Sequence, residues 1–221
     1  MRLHLTTNPS RRILSYNYQR RLTGAIHKWL GTDNPYHGQS ALFSFSLLNG
    51  GESVKDQGMR FPRGARWFIS SFHPEFAKML MQGILRDPII TEDLAVEEMM
   101  VQEDPTFGQA HIFKVGSPVL VKQRRPDNTT HHFIFSEPAT DALMTATLQG
   151  KLTHAGLPAE GLHVEFHRNF PGARAKVLHY NEVQNRVNFC PVAIIGSPEQ
   201  LAFAWNVGIG HSTGIGFGSL I

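Results

Sequence analysis

Histidine is the side chain whose ordinary pKa lies nearest neutrality, so a pair of imidazoles can take a proton from one oxygen and hand one to another. Two of the twelve histidines in this 221-residue chain stand where such a pair can form. His27 falls near the end of a predicted helix, on the flank shared with Arg20 and Gly24 rather than in its apolar stripe. His37 lies in Gly31-Thr-Asp-Asn-Pro-Tyr-His-Gly38, a run of turn formers that can fold back over the helix end. Cleavage of RNA by its own 2′-hydroxyl asks for this chemistry: a base for the hydroxyl proton and an acid for the departing 5′ oxygen. Spacing alone leaves the matter open, because a single histidine is more often a surface or capping residue than a catalyst. His131-His132 and His163-Val-Glu-Phe-His167 are rival clusters. In the second, alternation puts His163, Glu165 and His167 on one side of a strand, a set that can bind metal. No fourth ligand stands nearby, so neither a metal nor another cofactor is expected.

A second concentration of unusual residues closes the chain. Gly208-Ile-Gly-His-Ser-Thr-Gly-Ile-Gly-Phe-Gly218 holds five glycines in eleven positions. Glycine reaches positive φ without a Cβ clash, so such a loop can aim several N–H groups at phosphate oxygens. A dinucleotide fingerprint needs its glycines between a strand and a following helix, whereas here a helix precedes and the chain ends. A Walker loop needs Gly-Lys-Ser or Gly-Lys-Thr, and no lysine follows Lys176. A helix C-cap running into a bulged terminal strand would explain two or three of the glycines but hardly all five. His211, Ser212 and Thr213 form the loop tip, where polar residues either contact a phosphate or are simply solvated.

The elements that must position these groups follow from periodicity. Tyr18, Leu22, Ile26 and Trp29 recur at helical spacing up to Gly31. Residues 41–48 and 65–72 alternate as half-buried strands, Pro74 opens a helix with Phe76, Leu80 and Ile84 on one face, and 94–101 returns as a strand. The order repeats after the turn-rich Arg124-Arg125-Pro126-Asp127-Asn128: a strand at 132–135, a helix at 140–152, extended segments at 162–166, 175–180 and 186–195, then a helix opened by Ser197-Pro198-Glu199-Gln200. Two β-α-β-β-α-β units in series predict an α+β chain of two tandem ferredoxin-like (RRM-like) domains, 1–123 and 124–221. That fold hosts many functions, so it does not by itself say what the protein does.

Composition narrows the partners. A formal charge of +3 and a pI near 9.2 suit a polyanion, although a solvated positive face has the same composition. Cys190 is the single cysteine, so no internal disulfide and no thiolate-rich zinc site can form from this chain. With no secretory signal pattern and no apolar run near the roughly 18 residues that span a bilayer, a cytoplasmic location without membrane contact is expected.

Taken together, these residues resemble the CRISPR repeat-RNA processing endoribonucleases, the Cas-six family. Asn17-Tyr18, Leu22, Ala25-Ile26, a histidine-glycine loop and Phe43-Ser-Phe-Ser46 are similar to its N-terminal half. Gly58-Met-Arg-Phe61 and Arg66-Trp-Phe-Ile-Ser-Ser71 resemble its next block, and Trp205-Asn-Val-Gly-Ile-Gly210 with Gly214-Ile-Gly-Phe-Gly218 its terminal glycine-rich signature, the most specific of these motifs. The resemblance implies metal-independent cutting of precursor CRISPR RNA within repeats, leaving a 2′,3′-cyclic phosphate. It puts His37 in the place of the principal catalytic residue, as general base, and His27, where a tyrosine often stands, as partner acid or phosphate stabiliser. A lysine that often precedes the Phe-Ser-Phe-Ser strand has no match, and Lys28 is a reserve for charge stabilisation. For RNA contacts it points to Arg60, Arg63 and Arg66 with Gly208, Gly210, His211, Gly214, Gly216 and Gly218, and to a wider basic surface of Lys122, Arg124, Arg125, Arg174 and Lys176. The implied partners are CRISPR repeat RNA and other proteins of a CRISPR surveillance complex; whether two copies pair as a homodimer stays open. A binding subunit of the same fold that holds repeat RNA without cutting is the alternative. An unrelated RRM-like pair would need the aromatic strand motif this chain lacks.

Overall fold

The computed structural model describes residues 1–31, 34–36 and 40–221. The first half runs β1 (Arg2–Thr7), β2 (Ser10–Leu14), α1 (Gln19–Leu30), β3 (Phe43–Phe45), β4 (Glu52–Val54), β5 (Gly58–Phe61), β6 (Arg66–Ser71), α2 (Pro74–Arg86), β7 (Ile89–Thr91) and β8 (Leu94–Gln102). Strands β3, β6, β1, β8 and β7 make one antiparallel sheet in that order. Without the edge strand β7 this is the ferredoxin-like arrangement, with both helices on one face. Leu3 and Leu5 of β1 turn inward against Leu22, Ile26 and Trp29 of α1, Trp67 of β6, and Phe76 and Leu80 of α2. The helix stops are those the sequence announces: Gly31 ends α1 with a φ of 83°, and α2 opens on Pro74 and ends before Pro88. β2, β5 and β4 form a separate three-stranded sheet. Its Arg11, Arg12, Glu52 and Ser53 are exposed, so no apolar alternation marks it in the sequence.

The second half comprises β9 (Ala110–Phe113), β10 (Val121–Arg124), β11 (Thr130–Phe133), α3 (Ala139–His154), β12 (His163–Phe166), β13 (Arg174–Tyr180), β14 (Val183–Phe189), β15 (Val192–Ile195), α4 (Pro198–Val207) and a 3₁₀ turn at Thr213–Ile215. β12, β15 and β9 form the sheet, and a bridge between Val115 and Leu220 sets the end of the chain in the position of a fourth strand. The hairpins β10–β11 and β13–β14 are additions to this frame. One extended arm expected at 186–195 is two strands, because Pro191 has no N–H for a ladder and its carbonyl accepts from His167 instead.

Sheet membership moves the division between the halves. β9 pairs with β15, and Phe113, Val119 and Val121 lie in the second core, so the changeover falls between Gln102 and Ala110 rather than at 123/124. Arg124-Arg125-Pro126-Asp127-Asn128, expected as a linker, is the turn of the β10–β11 hairpin. Turn formers mark a chain reversal equally between domains and within one.

The halves are pinned together by a buried cation. The Arg2 guanidinium lies between the rings of Phe68 and Trp205, 3.9 and 3.6 Å from their centroids. It donates to Trp205 O at 3.1 Å and Leu220 O at 2.7 Å. Burial pushes its pKa down to about 9. Among the described residues no helix is long and apolar enough to cross a membrane.

Candidate nucleic-acid interface

The glycine-rich segment begins at a firmly closed helix. Ser197 Oγ accepts from the Gln200 amide at 3.2 Å and Gln200 Oε1 accepts from the Ser197 amide at 2.9 Å, the reciprocal cap expected from the sequence. Past Gly208 the chain folds back on itself: the Ile209 amide donates to Gly218 O, the Gly218 amide to Pro118 O and the His211 amide to Leu120 O, each at 2.8 Å. The amides of Gly208, Ile215 and Gly216 are likewise given to protein carbonyls. These six N–H groups are therefore committed inside the fold, and the expectation that the loop amides point outward to phosphate does not hold for them.

What the glycines provide is close approach. A Cβ on Gly218 would lie 1.9 Å from Ile209 O, and one on Gly210 2.5 Å from Leu120 O, both at positive φ. Ile209 and Phe217 are fully buried, while His211, Ser212, Gly214 and Ile215 keep partial exposure at the tip. The first half clamps this tongue: the Gln19 side chain of α1 donates to Gly216 O, and Ala41 packs against Gly214.

Beneath the tip lies a groove of about 530 Å³ with Thr147, Gly150 and Lys151 of α3 on its floor, Gly210 to Ile215 along one wall, and Ser40 and Ala41 along the other. The floor residues share one helix face, spaced three and four apart. His211 accepts a long 3.4 Å contact from the Lys122 amide at Nδ1, which assigns its proton to Nε2. Burial first, then the charges of Lys122 and Lys151, lower its pKa and so favour the neutral imidazole. Lys151 is 8% exposed, and Nζ donates to Val207 O at 3.2 Å, Gly208 O at 3.4 Å and Thr213 Oγ1 at 3.1 Å. Burial pushes its ammonium down to about 7. Sequence reading passed over this residue, although a signal existed: Thr140, Met144, Leu148 and Lys151 form the buried stripe of α3, and a lysine in an apolar stripe is out of place.

The histidine pair is only half visible. His37 lies outside the described residues, and with it the geometry of any pairing with His27. His27 is exposed on α1, on the face it shares with Gln19 and Thr23 at eight- and four-residue spacing. Gln19, at the start of the same helix, is the residue that holds Gly216 of the loop. Tyr36, just before His37, packs against the rings of His73 and Phe76. With His73 and His154 it lines a cavity of about 250 Å³ between α2 and α3.

The remaining candidates scatter. Arg66 is exposed and lines a different cavity of about 880 Å³, on the open face of the first sheet with His4, Phe68, Met100 and Ile221. Arg60 pairs with Glu52 at 3.0 Å, and Arg63 is exposed. Lys28 is bound to Asp87 at 2.8 Å and to Ile89 O, away from the loop. His131 bonds Arg125 and Glu137. Arg174 and Lys176 flank the Phe189 ring on β13–β14, and Arg124 is exposed at the β10 turn. His163 and Glu165 approach at 3.5 Å; among the described residues no group of three His, Cys, Asp or Glu side chains is arranged to hold a metal ion.

Comparison with known proteins supplies the context for this geometry. The family model of CRISPR associated protein Cas6, C-terminal, matches residues 101–220. A solved structure described as CRISPR associated protein Cas6 superposes with a TM-score of 0.83 at 21% identity, covering 100% of this chain and 98% of its own. A Cas6-related protein from Pyrococcus furiosus gives 0.87 at 18% identity, covering 100% and 97%. A third, described as a RAMP protein binding different RNA substrates, gives 0.84 at 18%, covering 100% and 99%. No curated protein matches in sequence. These likenesses carry the tandem ferredoxin-like fold, and the match over more than half of the chain carries the family: this chain belongs to the Cas6 family of CRISPR-associated proteins, the proteins of CRISPR RNA processing.

Proposed function

We propose that this protein is an endoribonuclease that cuts precursor CRISPR RNA within each repeat without a metal ion. The RNA 2′-hydroxyl attacks the adjacent phosphorus, so that a 2′-O–P bond forms as the P–O5′ bond breaks. His37 takes the 2′ proton; His27 returns one to the 5′ oxygen or steadies the charged phosphate, and a 2′,3′-cyclic phosphate remains. The observation that carries this reading is the clamp between Gln19 and Gly216, which ties the helix bearing His27 to the loop that walls the groove. Gly210, His211 and Gly214 line that groove as RNA contacts, while Gly208, Gly216 and Gly218 give the loop its shape. Arg60, Arg63 and Arg66 with Lys122, Arg124, Arg125, Arg174 and Lys176 extend the basic surface, and phosphate contacts there make affinity fall with salt.

A second reading, a subunit that holds repeat RNA without cutting, is favoured by Lys28, whose ammonium is occupied by Asp87 and unavailable to a reacting phosphate. Labelled repeat RNA incubated with the protein in EDTA separates the two. Site-specific cutting that disappears in His37→Ala and drops at least a hundredfold in His27→Ala supports the enzyme. Tight binding with no cutting at any pH supports the binder, and cutting that survives both substitutions refutes the assignment of these histidines.

A further inference from the structure

We propose that Lys151 is the positioning residue of the glycine-rich loop: its Nζ, held under the loop by Val207, Gly208 and Thr213, fixes the wall of the groove that receives the RNA phosphate. This rests on the reading of the groove as the RNA site, and it adds to that reading the residue that sets its shape. The last carbonyls of α4 have no helical partners of their own, and a buried carbonyl left unpaired is costly. Lys151 reaches across from α3 to satisfy those of Val207 and Gly208, and its third contact is the hydroxyl of Thr213 in the 3₁₀ turn of the loop itself. One side chain thus ties together the helix before the loop, the loop tip and the groove floor. Either form of the amine can make these contacts, since a neutral NH₂ donates to two carbonyls and accepts from a hydroxyl.

Two further observations favour a ligand-facing role over a purely structural one. Among the described residues no carboxylate pairs with Lys151. A buried charge without a counter-ion is disfavoured unless something else answers it, and a phosphate in the groove above would do so. Gly150 next to it is a mid-helix glycine whose added Cβ would meet nothing within 4 Å. Packing therefore does not require it, and its effect is to leave the floor of the groove open. The sequence offers no lysine after Lys176, and α3 supplies from below the cation that the loop lacks.

The test uses the full chain with and without RNA. In the RNA-free protein, Lys151→Met should speed hydrogen exchange of the Ile209, His211 and Gly216 amides at least tenfold while those of β1 and β8 are unchanged. It should weaken binding of repeat RNA about tenfold, and Lys151→Arg, which keeps charge and donors, should recover most of that loss. Thr213→Val should loosen the loop in the same way, and the double variant should be no worse than Lys151→Met alone. Unchanged exchange and unchanged affinity in a folded Lys151→Met, or strictly additive effects of the two substitutions, would overturn the proposal. Should Lys151→Met not fold, Thr213→Val decides the matter by the same exchange measurement. Wild-type protein that ignores repeat RNA would sink the RNA reading of the groove, yet the exchange experiment would still judge Lys151.

Discussion

Burial of Lys151 makes a specific demand on how stability varies with pH. In the unfolded chain its ammonium has the ordinary pKa near 10.5, and in the fold burial pushes it down to about 7. Between those values the unfolded state holds a proton that the native state has released, so the native state gains on the unfolded one as pH rises. Below pH 7 both states are protonated and the contribution is flat at its most unfavourable. A difference of 3.5 units at about 1.4 kcal/mol each gives an upper bound of about 5 kcal/mol, with a slope approaching about 1.4 kcal/mol per pH unit. Lys151→Met has no proton to release. Urea unfolding of wild type and variant at pH 6, 7, 8 and 9 should give a stability difference that is constant from 6 to 7 and then moves in favour of wild type by roughly 2 to 3 kcal/mol at pH 9. Other shifted groups are shared by both proteins and cancel: Arg2 at about 9, Cys190 raised to about 11 and Tyr18 raised to about 12 by burial. His211 is the residue whose pKa itself feels Lys151, so His211→Gln is made in both backgrounds. Parallel stability curves for the wild type and the Met variant would refute the claim that this lysine is buried at a cost.

Gly218→Ala should destabilise by roughly 2 to 5 kcal/mol, since the new Cβ meets Ile209 O and adopts a left-handed backbone; urea midpoints check it, and a change under about 0.5 kcal/mol would mean the loop is not packed as described. Gly150→Ala should act in the opposite direction, stabilising by about 0.5–1 kcal/mol, because a mid-helix glycine is replaced where the Cβ has space; a loss of stability would show that the groove floor is closed. Arg2→Ala should cost about 3 kcal/mol or more, as it leaves Trp205 O and Leu220 O unpaired and empties the slot between two rings; thermal unfolding checks it, with a shift of at least about 6 °C expected for a chain of this size.

Much of the fold was legible because its signals are local. Leu22, Ile26 and Trp29 mark α1, Pro74 opens α2, and Ser197 with Gln200 caps α4, and each is a short-range rule that the structure follows. The parts that were missed depend on long-range pairing. β9 carries exposed Ala110, His111 and Ile112, so nothing in its own residues shows that it joins β15, about eighty residues on, and the more conspicuous turn near 124–128 marks the boundary in the sequence instead. Polar sheets such as β2–β5–β4 lack the alternation that period-2 reading requires. Of the candidate site, the density of glycines was legible and its use was not, because amide direction is settled by which carbonyl the chain meets on folding back.

That difference changes how the loop is to be understood. Had its amides formed the phosphate cradle, recognition would be local to eleven residues and indifferent to the rest of the chain. Instead Pro118 and Leu120, Gln19 and Lys151 take up its polar groups from three separate segments. Of these, Gln19 belongs to the first half, so the hold on Gly216 depends on the docking of the two ferredoxin-like halves, to which the Arg2 pin between Phe68 and Trp205 contributes. A groove wall assembled in this way couples RNA affinity to the interface between the halves. Arg2→Ala, which does not line the groove, should therefore weaken repeat-RNA binding together with stability, whereas Arg60→Ala, on the separate small sheet, should lower affinity and its salt dependence and leave the unfolding midpoint in place. Filter binding at two salt concentrations beside a thermal melt tests both. An Arg2→Ala protein that stays folded at the assay temperature and binds as wild type does would show that the groove does not depend on the docking of the halves.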